Sequence, residues 1–283
     1  MSTVAVIGLG RMGGRIAGRV LDAGHELIVW NRTMEKGQPL IELGATAAES
    51  PADAARRAEA VITMVADPQA LQLVTDGPDG VAAGASAATT VIQMSTVSPA
   101  ATSRLESVLQ PTGAGLLDSP VLGSLSEVES GTLKVFAAGP DELVERWTPL
   151  LSVLGSIIRV GPVGAGTAAK LVANSTLLGV LGVLGEALVL GQQLDMSRDV
   201  TFEVLAATPV AAQAERRRPA IESGEFPPRF ALRLALKDAN LILEAAGTEL
   251  KVIEAVRDRL AEATEASWGE RDYSAVLAWM LEC

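Results

Sequence analysis

Val4-Ala5-Val6-Ile7-Gly8-Leu9-Gly10-Arg11-Met12-Gly13 is the stretch that decides the fold. A β-branched apolar run reads as a buried strand, and the glycines that close it are spaced G-x-G-x-x-G. The three glycines do different physical jobs. Gly8 makes a tight turn, Gly10 lets backbone approach a pyrophosphate, and Gly13 permits close helix packing on the strand. The next segment, Arg15-Ile16-Ala17-Gly18-Arg19-Val20-Leu21, repeats apolar residues at helical spacing. Its free N-terminal N–H groups would face phosphates. Glu26-Leu27-Ile28-Val29-Trp30 then supplies a second strand at βαβ distance. The N-terminal half is therefore expected to hold a dinucleotide through Gly8, Leu9, Gly10, Arg11, Met12 and Gly13.

The tip of the second strand selects the dinucleotide. An NAD site places Asp or Glu there, on the ribose 2′-OH. This chain reads Asn31-Arg32-Thr33, with no carboxylate before Glu35. A guanidinium pairs bidentately with a 2′-phosphate, and Asn31 and Thr33 add short donors. NADP(H) is the expected cofactor.

Further strands are predicted at Ala60-Val61-Ile62-Thr63-Met64-Val65, Thr90-Val91-Ile92-Gln93-Met94-Ser95, Gly115-Leu116-Leu117-Asp118, Leu133-Lys134-Val135-Phe136-Ala137-Ala138 and Ile157-Ile158-Arg159-Val160. Helical stretches separate them, which predicts parallel βαβ units and an α/β, Rossmann-type doubly wound sheet. Ligands in such sheets bind at the carboxyl ends of strands, so Ala66-Asp67-Pro68, Ser95-Thr96 and Asp118-Ser119-Pro120 are expected to line one cleft, with Val65 and Ala66 at the cofactor. At Gly161-Pro162-Val163-Gly164-Ala165-Gly166 the strands stop. Residues 1–162 are assigned to an NADP-binding domain and 163–283 to an all-helical substrate and dimerisation domain, joined by a long interdomain helix over 165–194. Amphipathic helices follow, including blocks at 231–246 and 250–267.

The 283 residues are 48% hydrophobic and 20% charged, enough to bury a sizeable core and too apolar for disorder. A formal net charge of -11 repels nucleic acid and acidic membrane surfaces. Arg216-Arg217-Arg218 is the only basic cluster and reads as a solvated helix face. Cys283 is the single cysteine, which leaves no intrachain disulfide and no thiolate metal cluster, so no metal is expected. His25 sits in a turn. The N-terminus has no secretory pattern, and a cytoplasmic protein is expected. Residues 171–190 are apolar enough to suggest a membrane span, yet they include Asn174, Ser175, Thr176 and Glu186, so a buried helix and no membrane is the expectation. The apolar flanks of that helix point to a homodimer.

Five collinear blocks resemble the β-hydroxyacid dehydrogenases over essentially the whole chain: Gly8-Leu9-Gly10-Arg11-Met12-Gly13; Ser95-Thr96-Val97-Ser98-Pro99; Asp118-Ser119-Pro120-Val121-Leu122-Gly123-Ser124 with Gly131-Thr132-Leu133; Gly164-Ala165-Gly166-Thr167-Ala168-Ala169-Lys170 with Asn174; and Lys237-Asp238. That family includes 3-hydroxyisobutyrate dehydrogenase and glyoxylate/succinic semialdehyde reductase, and shares its nucleotide domain with 6-phosphogluconate dehydrogenase. The resemblance implies hydride transfer between nicotinamide and a small β-hydroxy acid, semialdehyde or related carbonyl substrate. It implies Lys170 as catalytic acid or base and Asn174 as its companion. It places Thr96 and Lys237 at the cofactor, and Ser95, Thr96, Leu122, Gly123, Ser124 and Phe230 at the substrate. It also implies dimers or tetramers.

The residues themselves fit these roles. A separation of four on a helix stacks Lys170 and Asn174 on one face. The chain has five lysines against eighteen arginines, so a lysine on an apolar helix is a selective choice. Two departures concern the substrate: Leu122 stands where many members have serine, and Ala173 where an asparagine is common. Two alternatives stay open. Imine reductases share the architecture and the segment Trp30-Asn31-Arg32-Thr33, although they usually lack the lysine; a non-catalytic NADPH-binding protein would need neither Lys170 nor Asn174.

Overall fold

The computed structural model describes residues 1–282, and Cys283 lies outside the described residues. The chain divides into two compact units, Met1–Lys170 and Leu171–Cys283.

The first unit is built from β1 (Thr3–Ile7), α1 (Arg11–Asp22), β2 (Glu26–Trp30), α2 (Gln38–Glu42), β3 (Thr46–Ala47), α3 (Pro51–Arg57), β4 (Ala60–Thr63), α4 (Pro68–Thr75), α5 (Val81–Gly84), β5 (Thr90–Gln93), α6 (Pro99–Leu109), β6 (Gly115–Asp118), β7 (Val121–Leu122), α7 (Leu125–Ser130), β8 (Leu133–Ala138), α8 (Asp141–Ser152), β9 (Gly155–Gly161) and the start of α9 (Ala165–Gln193). Strands run β3-β2-β1-β4-β5-β6, all parallel. The order reverses between β1 and β4, the switch point at which open α/β sheets bind ligands. Alternation along β1 feeds both faces. Val4 and Val6 join Ile16, Ala17 and Val20 of α1 in one apolar layer, whereas Ala5 and Ile7 meet Ala54, Leu71 and Leu105 in the other. Each Val, Ile or Leu side chain among them stabilises by about 1.5–3 kcal/mol when fully buried.

The uniformly parallel expectation fails after β6. Asp118 pairs with Ala138, Val121 with Val135 and Leu122 with Lys134, all antiparallel. These three pairs share one register, so β6 and β7 are a single strand interrupted at Ser119-Pro120. The connection to β8 carries only the short helix α7, and a reversal needs far less chain than a parallel crossover. Parallel pairing resumes when α8 carries the chain from β8 to β9.

In the second unit the rest of α9 packs with α10 (Arg198–Ala206), α11 (Ala211–Ser223), α12 (Leu232–Ala246), α13 (Lys251–Ala263) and α14 (Ala275–Glu282). Among the described residues α9 is the one helix long and apolar enough to cross a membrane. Its inward stripe, Leu171, Leu178, Leu181, Leu184 and Leu188, instead enters this unit's core. Two of its glycines serve close packing: a Cβ at Gly182 would lie 2.4 Å from Val256, and one at Gly185 would lie 2.5 Å from the Met280 sulfur. The block expected over 250–267 breaks at a π-turn, Thr264–Trp268, where Ser267 adopts φ +69°.

Candidate active site

Parallel strands align their carboxyl ends, so the first unit brings the glycine turn, Asn31-Arg32-Thr33, Val65-Ala66 and Ser95-Thr96 to one edge of its sheet. Gly8 (φ +96°) turns so tightly that a Cβ would meet the Met64 carbonyl oxygen at 2.3 Å. At Gly13 a Cβ would fall 2.0 Å from the Gly8 oxygen, so α1 presses directly on the turn. Gly10 is different: a Cβ there meets nothing within 4 Å, and its φ of -69° is open to any residue. Among the described residues nothing requires glycine at position 10, and the space in front of it is open to a group approaching from outside.

The helix N-termini give a second sign. Helices α4 and α6, which also start at this edge, are capped by Asp67 and Ser98, whose side chains accept from Ala70 and Ala101 N–H. Helix α1 begins at Gly10 with no side-chain cap. Its first-turn N–H groups fit a bound phosphate, and the cradle fits the pyrophosphate of a dinucleotide. Arg11 is exposed and Met12 half-buried beside it.

At the tip of β2 the residues divide. Asn31 accepts from Leu9 N–H (2.9 Å) and donates one of its two amide hydrogens to the Thr33 carbonyl (2.7 Å), so it ties the glycine turn to β2 and keeps a second donor. The Leu9 N–H is occupied by the same contact. Arg32 and Thr33 are exposed, and no hydrogen bond or ion pair engages the Arg32 guanidinium among the described residues.

The polar side chains at β5 and β6 are largely turned inward. Ser95, 1% exposed, accepts from Val65 N–H (2.9 Å) and donates to the Thr63 carbonyl (3.3 Å). Gln93, wholly buried, accepts from Ser95 N–H and donates to the Ser95 carbonyl (2.9 Å). Ser95 therefore holds the ends of β4 and β5 together and is not available to a substrate; Thr96, next to it, is half-buried. Ser124 is also occupied, because its N–H (2.8 Å) and its hydroxyl both donate to Glu127. Those bonds, led by the Ser124 hydroxyl, lower the Glu127 pKa to about 2. Gly123 has its own structural cause, φ +138° with a would-be Cβ 2.5 Å from Leu133. Leu122 is half-buried on β7.

Asp118 does not line an open edge. It is wholly buried, accepting from Thr167 N–H (2.7 Å) and Thr167 Oγ1 (2.9 Å) at the start of α9. Burial pushes its carboxyl up, and bonds from Thr167, Gly164 and Gly166 pull the other way.

Lys170, half-buried, ends the first unit. One helical turn later on α9, Asn174 is 3% exposed and donates to Asp238 Oδ2 at 2.7 Å. The other oxygen of Asp238 pairs with Lys237 at 2.7 Å. Asp238 is itself 1% exposed, a buried carboxylate that fixes which way the Asn174 amide faces. The sequence reading gave it no role, although a signal existed: it shares the inward face of α12 with Leu232, Ala235 and Ala239. Phe230 is half-buried and meets Tyr273 edge-on, ring centroids 5.4 Å apart.

The arginine run is not one solvated face. Arg217 is buried and donates to the Tyr273 hydroxyl, whereas Arg218 pairs with Asp199 and Glu222 on the surface. Among the described residues no group of three or more His, Cys, Asp or Glu could hold a metal.

Two family descriptions match the chain. Residues 3–164 match the NAD binding domain of 6-phosphogluconate dehydrogenase, and residues 164–280 match the NAD-binding region of NADP-dependent 3-hydroxyisobutyrate dehydrogenase. The 3-sulfolactaldehyde reductase of Escherichia coli (strain K12) is 35% identical, covering 98% of this chain and 95% of its own. Glyoxylate/succinic semialdehyde reductase 1 of Arabidopsis thaliana is 31% identical over 97% of this chain and 96% of its own. Among solved structures, a Mycobacterium tuberculosis 3-hydroxyisobutyrate dehydrogenase with L-serine superposes with a TM-score of 0.87 at 27% identity, over 99% of both chains.

Proposed function

The chain belongs to the β-hydroxyacid dehydrogenase family, and from that premise we propose that it is an NADP(H)-dependent reductase of small acidic aldehydes, or in reverse a dehydrogenase of the matching hydroxy acids. Bound nicotinamide supplies or accepts the hydride. The first-turn N–H groups of α1 and the unobstructed Gly10 cradle the pyrophosphate, and the unengaged Arg32 pairs with the 2′-phosphate. Asn31 keeps the glycine turn in register with β2.

In the reducing direction Lys170 donates a proton to the carbonyl oxygen as negative charge develops there; in the oxidising direction it takes that proton back. Asn174 orients the same oxygen, with its amide set by Asp238. This last contact is the observation that carries the reading. A carboxylate buried to 1% exposure, with an amide on one oxygen and an ammonium on the other, costs desolvation energy that a simple nucleotide-binding protein has no use for. Leu122 makes the substrate side more apolar than a serine would. Val172, Val183 and Leu190, exposed along α9, support assembly as a homodimer or homotetramer.

The test follows NADPH oxidation against small aldehydes, keto acids and cyclic imines. Turnover of acidic aldehydes is expected, and Lys170→Ala is expected to lower it on the order of 10²–10⁴-fold with NADPH affinity unchanged. Full turnover by that variant removes Lys170 from the mechanism. Turnover of imines alone selects C=N reduction, and NADPH binding without any turnover refutes an enzyme.

A further inference from the structure

We propose that Asp118 is a positioning residue for this reaction: by gripping Thr167 it fixes the first turn of α9 and with it the place from which Lys170 acts. The inference rests on the role given to Lys170 above.

Helix α9 starts after Gly164, which has φ +93° and no side chain with which to cap the helix. The cap comes from far away in sequence. Asp118, the last residue of β6, accepts the Thr167 N–H on Oδ2 (2.7 Å) and the Thr167 hydroxyl on Oδ1 (2.9 Å). Each carboxylate oxygen thus holds one donor of the same residue. Thr167 also bonds Thr102 of α6 between hydroxyls at 2.8 Å. Asp118, Thr167 and Thr102 are at most 2% exposed, so no water competes. Gly166 completes the grip, because a Cβ there would fall 2.1 Å from the Asp118 carbonyl oxygen.

This arrangement does more than fill space. Among the described residues no cation pairs with Asp118, and burying its charge opposes its ionisation. An apolar side chain would anchor β6 at lower cost. What a carboxylate adds is direction: bonds to both the N–H and the hydroxyl of one residue prevent the first turn from rotating or sliding. Lys170 lies three residues beyond Thr167, on the same helix face. A misplacement of about 1 Å in a reacting group costs on the order of 10²-fold in rate, so the grip on Thr167 is felt at the lysine.

Three variants test this in the full-length protein: Asp118→Asn, Thr167→Val and Thr167→Ser. For each, kcat, KM for the aldehyde, NADPH Kd and melting temperature are measured. Asp118→Asn and Thr167→Val are expected to lower kcat by roughly tenfold or more, with KM and NADPH Kd within about twofold. Thr167→Ser, which keeps the hydroxyl donor, is expected to retain most of the parent kcat. The inference is overturned if Thr167→Val keeps the parent kcat, if Thr167→Ser falls as far as Thr167→Val, or if kcat falls only in step with the fraction of protein that binds NADPH. Should Asp118→Asn fail to fold, the Thr167 pair decides alone. Lys170→Ala in the same assay separates the two ideas. If it retains turnover, the reading of Lys170 fails; if it loses turnover while Asp118→Asn and Thr167→Val keep theirs, only the positioning role fails.

Discussion

The rim of the sheet at β1 and β2 and the rim at β5 and β6 carry similar residues, small and polar, yet they are used in opposite ways. At the first rim the protein leaves things unfinished: Gly10 has open space where a side chain could stand, α1 has no cap, and Arg32 has no partner among the described residues. At the second rim Gln93, Ser95 and Asp118 close their hydrogen bonds within the protein, most of them out of water. A polar residue near a site is therefore a poor guide to binding. The better guide is a requirement that the protein's own contacts do not explain.

The contrast can be broken most sharply inside the glycine turn. Gly13→Ala drives a methyl into the Gly8 carbonyl and should destabilise the fold by about 3 kcal/mol or more, read from urea unfolding. Gly10→Ala should leave unfolding within about 0.5 kcal/mol of the parent and weaken NADPH binding at least tenfold. Equal effects of the two substitutions on stability would abolish the distinction between packed and open glycines. Next in size, Arg32→Glu should weaken NADPH by roughly 10–100-fold and NADH far less, as expected for losing a charge-assisted bond of about 1.5–3 kcal/mol. Calorimetry showing parallel losses for both would place Arg32 outside the 2′-phosphate site.

Ser95→Ala tests the closed rim. It leaves the Val65 N–H without its acceptor and should cost about 1–2 kcal/mol of stability while changing aldehyde KM little. A large rise in KM with stability intact would return Ser95 to the substrate. The smallest effect is expected at Glu127. Its pKa is lowered from 4.5 to about 2 in the folded protein, so its contribution is present above the unfolded value and is lost as pH falls toward 2. The melting-temperature gap between the parent and Glu127→Gln should narrow across that window, and a gap that stays constant would mean the Ser124 bonds contribute no linkage.

Much of the first unit was legible because its signals are local. A strand, a glycine turn and a helix can be read within the first 22 residues, and the parallel run of β1, β2, β4 and β5 follows from the alternation of strands with helices. Strands β3 and β7 are two residues each and leave no periodicity to detect. The reversal at β8 was missed because direction is set by the connection and not by strand composition. The internal bonds of two site residues were illegible for one reason. Asn31 finds its partner 22 positions away and Ser95 finds one 30 positions away, and a sequence shows a hydroxyl or amide without showing whether it is already bonded. Asp238 was readable as a carboxylate on an apolar helix face, but its purpose emerges only with Asn174 in view, 64 positions earlier.

The grip of Asp118 on Thr167 also bears on how the chain is made. The carboxylate precedes its partner by 49 residues, so β6 is synthesised, and emerges from the ribosome, ahead of the first turn of α9. Domains generally fold as units, N-terminal first during synthesis. The helix thus emerges onto an acceptor already in place, and its costly nucleation is assisted at the turn where unsupported helices start least readily.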